Sequence, residues 1–168
     1  MDAFILLYIV FLLIIYQDFR ERAISSWTIP CIAILSVYQA VTSLDWEPWF
    51  LGFNLLFIAI QLAGITLYFS LKHRQWINVT KDYLGWGDIL FFIAISPLFS
   101  PLQFCCFFIG ALLLILIGVG VYRVCIGSVA TIPLAGAMCI NLLGYCFLRS
   151  SYGFSFYNDW YLLQFIYG

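Results

Sequence analysis

Charge is what this sequence lacks. Only 9% of its 168 residues are charged, against about 25% in water-soluble chains. Hydrophobic residues make up 65% and the mean hydropathy is +1.05, which excludes a soluble domain. There is no basic patch with interleaved aromatics, so no nucleic-acid partner is expected. The single histidine, His73, sits between Lys72 and Arg74 and is expected as a solvated loop residue, not a ligand. Six cysteines (Cys31, Cys105, Cys106, Cys125, Cys139 and Cys146) show no C-x-x-C spacing, and all but Cys125 fall in apolar runs. They read as small buried hydrophobes. Neither a metal nor a cofactor is expected.

What the chain does have is apolar length. The hydrophobic pattern predicts about six transmembrane helices, over residues 3–18, 28–44, 49–71, 86–98, 102–122 and 132–148. Crossing ~30 Å takes about 20 apolar residues, so the first and fourth spans must borrow polar ends. Ser96-Pro97 and Ser100-Pro101 predict a tight turn, because proline disfavours helical geometry in its predecessor. The expected fold is all-α: a polytopic membrane bundle forming one integral domain over 1–168, with the bilayer as its surroundings.

The few charges orient that bundle. Arg20, Arg22, Lys72, Arg74, Lys81 and Arg123 follow the first, third and fifth spans, and only Arg149 falls on the opposite side. Basic residues mark the cytoplasmic face, so both termini are expected outside. Met1-Asp2 lacks a basic leader region, which predicts a retained anchor rather than a removed signal. The tail Ser150–Gly168 carries Tyr152, Phe154, Phe156, Tyr157, Trp160, Tyr161, Phe165 and Tyr167. It is expected to lie in the outer interface, where Tyr and Trp concentrate.

Two acids stand at cytoplasmic boundaries of spans: Asp18 at the end of the first, and Asp88 in Gly85-Trp86-Gly87-Asp88 at the start of the fourth. An acid at the lip of a hydrophobic helix is costly and usually functional. Taken singly, Asp18 reads equally well as an ion-pair partner of Arg20 and Arg22, and Asp88 as a helix N-cap. Taken together, with Gly85 and Gly87 permitting close backbone approach, they predict a catalytic dyad. Two carboxylates ~4 Å apart repel by about 4 kcal/mol at an effective dielectric of ~20. Both cannot stay ionised, so one anion would activate water while the other acid protonates a carbonyl. The dipoles of their own helices favour Asp88 as the anion and Asp18 as the acid. Arg20 and Arg22 pull the other way.

With these residues in view, the sequence resembles the type IV prepilin peptidases and preflagellin peptidases, the GxGD intramembrane aspartic proteases. Asp18-Phe19-Arg20-x-x-x-Ile24 is similar to the family's first motif and Gly85-Trp86-Gly87-Asp88 to its second. Ile132-Pro133-Leu134-Ala135-Gly136 is a weaker echo of a third. The resemblance implies an aspartic endopeptidase of the inner membrane with Asp18 and Asp88 as catalytic residues and Gly85, Gly87 and Arg20 as motif support. It implies a prepilin-like substrate, cleaved between its basic leader and its hydrophobic helix at the cytoplasmic face. Ser25-Ser26 replaces the usual Pro-Asn and Leu90 the usual lysine. The cysteine-bearing cytoplasmic insertion linked to methylation is absent, which implies a short form.

Two other readings compete. A small transporter or channel subunit would use the two acids for ions or protons, but would place a polar site near the midplane, where Asn54, Gln61 and Asn141 are the candidates. An inactive scaffold for pilus assembly is the other.

Overall fold

The computed structural model describes residues 2–21, 25–74, 84–125, 127, 133–153 and 155–159. These form six α-helices and no strand: α1 (Asp2–Glu21), α2 (Thr28–Val41), α3 (Pro48–His73), α4 (Trp86–Ile95), α5 (Pro101–Cys125) and α6 (Leu134–Tyr152). A 3-10 turn, Ser96–Leu98, separates α4 from α5. Arg22, Ile24, Lys81, Asp82, Ile132 and the aromatics Phe154, Trp160, Tyr161, Phe165 and Tyr167 lie outside the described residues.

The helix boundaries have local causes. Pro48 occupies the first position of α3, where its missing N–H costs nothing. Pro97 sits in the 3-10 turn and Pro101 opens α5, so the expected break between spans falls at these prolines. Gly153 ends α6 at φ 69° and donates its N–H to the Arg149 carbonyl at 2.7 Å, a left-handed C-terminal cap that glycine adopts without strain. His73 proves to lie not in a loop but in the last turn of α3, stacked on Phe69.

The helices alternate in direction. Asp18 meets Gly136 near one end of the α1–α6 pair, and Tyr8 bonds Cys146 towards the other, so these helices run antiparallel. α2 packs on α1 and α4, and α3 packs on α5. The core is aromatic: Phe91, Phe92, Phe99, Phe104, Phe107 and Phe108 are buried together, in edge-on, tilted and stacked pairs such as Phe92–Phe108 and Phe99–Phe107.

The end of the bundle opposite the two acids is closed by a polar stitch. Asn54 donates to the carbonyls of Ser96 and Phe99 at 2.8 and 3.0 Å, satisfying backbone groups the 3-10 turn leaves open. Gln103, 2% exposed, donates to the carbonyls of Ser155 and Asn158 at 2.9 Å each and accepts from the Tyr145 hydroxyl. The start of the tail therefore departs from expectation. Phe156 and Tyr157 are buried in the core rather than spread over a membrane interface, and Arg149 lies 4.3 Å over the Phe156 ring. The amide hydrogen bonds to this short segment offset the cost of burying its backbone.

Two of the three polar residues that were candidates for a midplane transport site are also accounted for. Asn54 serves the 3-10 turn, and Asn141 donates to Ala137 within its own helix. Asn54→Leu is expected to lower stability by about 2 kcal/mol, the cost of leaving buried carbonyls unpaired. Chemical or thermal unfolding in detergent micelles measures this.

Candidate active site

Asp18 lies in the last turn of α1 yet is only 7% exposed. A carboxylate removed from water needs donors, and Oδ2 finds one in the backbone N–H of Gly136, at 2.6 Å. Of the two arginines expected as partners, Arg22 lies outside the described residues, and Arg20 is exposed, donates to the Tyr16 hydroxyl and lies 5.5 Å over its ring.

Asp88 is the third residue of α4, not its N-cap. Gly85 is the N-cap, with extended backbone at φ −66°, ψ 145°. The Asp88 N–H donates to the Gly85 carbonyl at 3.1 Å, and the Asp88 carboxylate accepts the Gly85 N–H in return. The carboxylate contact is the return half of a capping box, with aspartate at the third position; Gly85 has no side chain to supply the other half. The same carboxylate also accepts the N–H of Ala135.

The two acids thus converge on consecutive amides of one helix. α6 begins at Leu134 after Pro133, whose side chain provides no cap. The N–H groups of its first turn have no partner within the helix. Asp88, from α4, takes the amide of Ala135, and Asp18, from α1, takes that of Gly136. The partial positive charge at a helix N-terminus favours both anions. Asp18 and Asp88 are close enough for the charge of one to bear on the other. The difference expected from the dipoles of their own helices is reduced, because both share the same positive end. Each carboxylate keeps further acceptor positions, so a water or a substrate carbonyl can be held between them.

Close approach here depends on a glycine outside the Gly85–Asp88 motif. A Cβ on Gly136 would stand 3.0 Å from the Phe19 ring and 3.1 Å from Asp18 Oδ2. A Cβ on Gly85 would stand 3.4 Å from the Asp88 carboxylate, an ordinary contact. Gly87 is half-buried in the first turn of α4. Gly136 is therefore the residue whose lack of a side chain lets α6 reach α1. The run Pro133-Leu134-Ala135-Gly136 carried the only sequence signal for it. The other group that sequence reasoning missed is Gln17. Its Oε1 accepts the Ser25 N–H at 3.2 Å, a bond that proline at this position could not make. Ser25 in turn accepts from the Thr28 hydroxyl and N–H at 2.7 and 3.0 Å. The α1–α2 turn is thereby tied beside the acid pair. Among the described residues no cluster of three His, Cys, Asp or Glu could hold a metal.

Gly136→Ala is expected to cost about 1–3 kcal/mol of stability, the usual penalty for forcing a methyl into a filled space. Gly144→Ala in the same helix meets nothing within 4 Å and should be neutral or stabilising by up to ~1 kcal/mol. Thermal unfolding of the two variants side by side checks the contrast.

Compared with known proteins, the sequence matches the model of the type IV leader peptidase family over residues 5–121. No curated protein and no solved structure matches it. The match includes Asp18 and Gly85–Asp88 and ends before α6, so the amides of Ala135 and Gly136 lie beyond it. It extends over more than half of the 168 residues, α1 through most of α5. The chain belongs to the type IV leader peptidase family.

Proposed function

We propose that this chain, a leader-peptidase-like protease by its family, is an aspartic endopeptidase embedded in the inner membrane as a six-helix bundle, with both termini outside. Its Asp18–Asp88 pair removes the basic leader of a prepilin-like precursor at the cytoplasmic side. The observation that carries this reading is the convergence of two acids, 70 positions apart in sequence, on adjacent amides of α6.

The chemistry follows from the pair. One carboxylate, as the anion, takes a proton from a water lying between the two. The resulting hydroxide attacks the scissile carbonyl carbon while the protonated partner gives its proton to the carbonyl oxygen. Collapse of the tetrahedral adduct breaks the C–N bond: the first carboxylic acid protonates the departing amine, and the partner carboxylate takes back a proton from a hydroxyl of the adduct as the new carbonyl forms. The amides of Ala135 and Gly136 hold the carboxylates throughout, so little reorganisation is needed as charge moves.

Membrane embedding is supported by α3 and α5, both long and apolar enough to cross a bilayer. The exposed faces of the shorter helices are also apolar, with Ile34, Val37, Ile93 and Ile140 among them. Apolar area of that extent is not left in water. Arg20, Lys72 and Arg123 lie at helix ends on the same side as the acids, as the positive-inside bias requires of a cytoplasmic site.

Co-expression with a prepilin is the test, with leader removal read as a mobility shift. Asp18→Ala and Asp88→Ala should each lower the cleavage rate by about 10²–10⁴-fold, the usual contribution of a general acid or base, at normal membrane levels. Processing that survives in either variant would rule out the pair as catalytic. Gly136→Ala should impair cleavage more than Gly144→Ala does.

A further inference from the structure

The six helices end at different depths on the side that carries the acids. Asn54 of α3, Ser96 and Phe99 beyond α4, and Phe104 of α5 share one level, fixed by the Asn54 hydrogen bonds and the Phe57–Phe104 and Phe99–Phe104 ring contacts. From that level Asp88 is eight residues away along α4, about 12 Å at 1.5 Å per residue. Leu71 of α3 and Tyr122 of α5 are 17 and 18 residues away along their helices, roughly 26 Å by the same rise. The acid pair is thus set back ~14 Å from the tips of α3 and α5. The same holds along α6: Tyr145 packs on Phe99 and is nine residues from Gly136, about 14 Å by the same rise. Four helices (α1, α2, α4 and α6) begin or end at the acids, while two run on past them.

The two projecting arms cannot stand in water. Among the described residues of α3 none beyond Ile58 is buried, and among those of α5 none beyond Ala111. Their exposed side chains include Leu67, Leu71, Leu116, Ile117 and Val121, so lipid must cover them to their tips. On the side that carries the acids, the exposed tyrosines and tryptophans that mark a membrane interface fall at two levels. On the arms they are Tyr68 and Tyr122. Around the acids they are Tyr16, Trp27 and Trp86. Trp86 lies two residues from Asp88, and Trp27 is held at the level of Gln17 through the Ser25 bond.

We propose that this chain spans the bilayer at two thicknesses: full depth along α3 and α5, and a thinned inner leaflet over α1, α2, α4 and α6 that brings headgroups and water down to Asp18 and Asp88. A hydrophobic stretch shorter than the bilayer draws the lipid in at modest cost per ångström. At about 1.5 Å per residue α2 is only ~21 Å long, and α4 with its 3-10 turn ~20 Å. The inference rests on the membrane reading above and not on the acids being catalytic. It gives an otherwise lipid-level acid pair its water without a channel through the bundle.

The test uses the full chain in phosphatidylcholine–phosphatidylglycerol vesicles. Trp27, Trp86, Tyr68 and Tyr122, all exposed, are replaced one at a time by a keto amino acid and coupled to a small fluorophore. Quenching by nitroxide lipids labelled at the headgroup is compared with quenching by lipids labelled at mid-chain. Thinning predicts that the headgroup quencher acts more strongly at all four positions, although by the helical rise Trp86 lies about 6 Å deeper than Tyr68 and about 12 Å deeper than Tyr122. Stronger mid-chain quenching at Trp27 and Trp86, with headgroup quenching at Tyr68 and Tyr122, means a flat bilayer and overturns the proposal. Quenching by neither lipid at Trp27 and Trp86 alone means a walled-off aqueous recess and overturns it too. No lipid quenching at any position would sink the membrane reading itself. Leader cleavage by the unmodified chain is measured separately, so loss of the peptidase assignment would show there alone.

Discussion

Everything near the site depends on how one helix begins. α6 starts after a proline that supplies no cap, inside a bundle whose surroundings are apolar. Its first amides must find acceptors, and the two acids must find donors. Each requirement is met by the other: Asp88 at Ala135 and Asp18 at Gly136. The same contacts dock α6 against α1 and α4 and bring two acidic side chains near one another, at a helix end whose dipole favours negative charge. The docking of α6 and the placing of the acids thus rest on the same two hydrogen bonds.

Much of this was legible in the sequence. Apolar run lengths and the Ser-Pro pairs located six helices and the break between α4 and α5, because span length and proline geometry are local properties. Asp18 and Asp88 stood out because charge is scarce. What the chain could not reveal was which backbone groups the acids would reach. Gly136 is 118 positions from Asp18, and no pattern around Gly85 or Gly87 indicates that a tight approach lies at a third glycine as well. Asp88 looked like an N-cap because aspartate favours that position. Three residues further in, it makes the reverse contact of a capping box, which only the backbone geometry at Gly85 distinguishes. Phe156 and Tyr157 looked interfacial by composition. Gln103 and Ser100 draw that segment inward, a tertiary effect that composition does not encode.

The family match and the site geometry overlap only in part. Residues 5–121 contain both acids, while the helix that holds them follows after the match ends. The replacement of the usual proline by Ser25 is accompanied by a Gln17–Ser25 bond that fixes the α1–α2 turn by a different means.

The central claim is that Asp18 and Asp88 are held by the amides of Gly136 and Ala135. Amide resonances of selectively ¹⁵N-labelled alanine and glycine, recorded on the full chain in micelles, test it most directly. Asp18→Asn should shift the Gly136 resonance upfield and leave Ala135 nearly in place, and Asp88→Asn should do the reverse. If neither substitution moves its partner amide, or if both amides ignore both acids, the carboxylates do not meet at the start of α6 and the account fails.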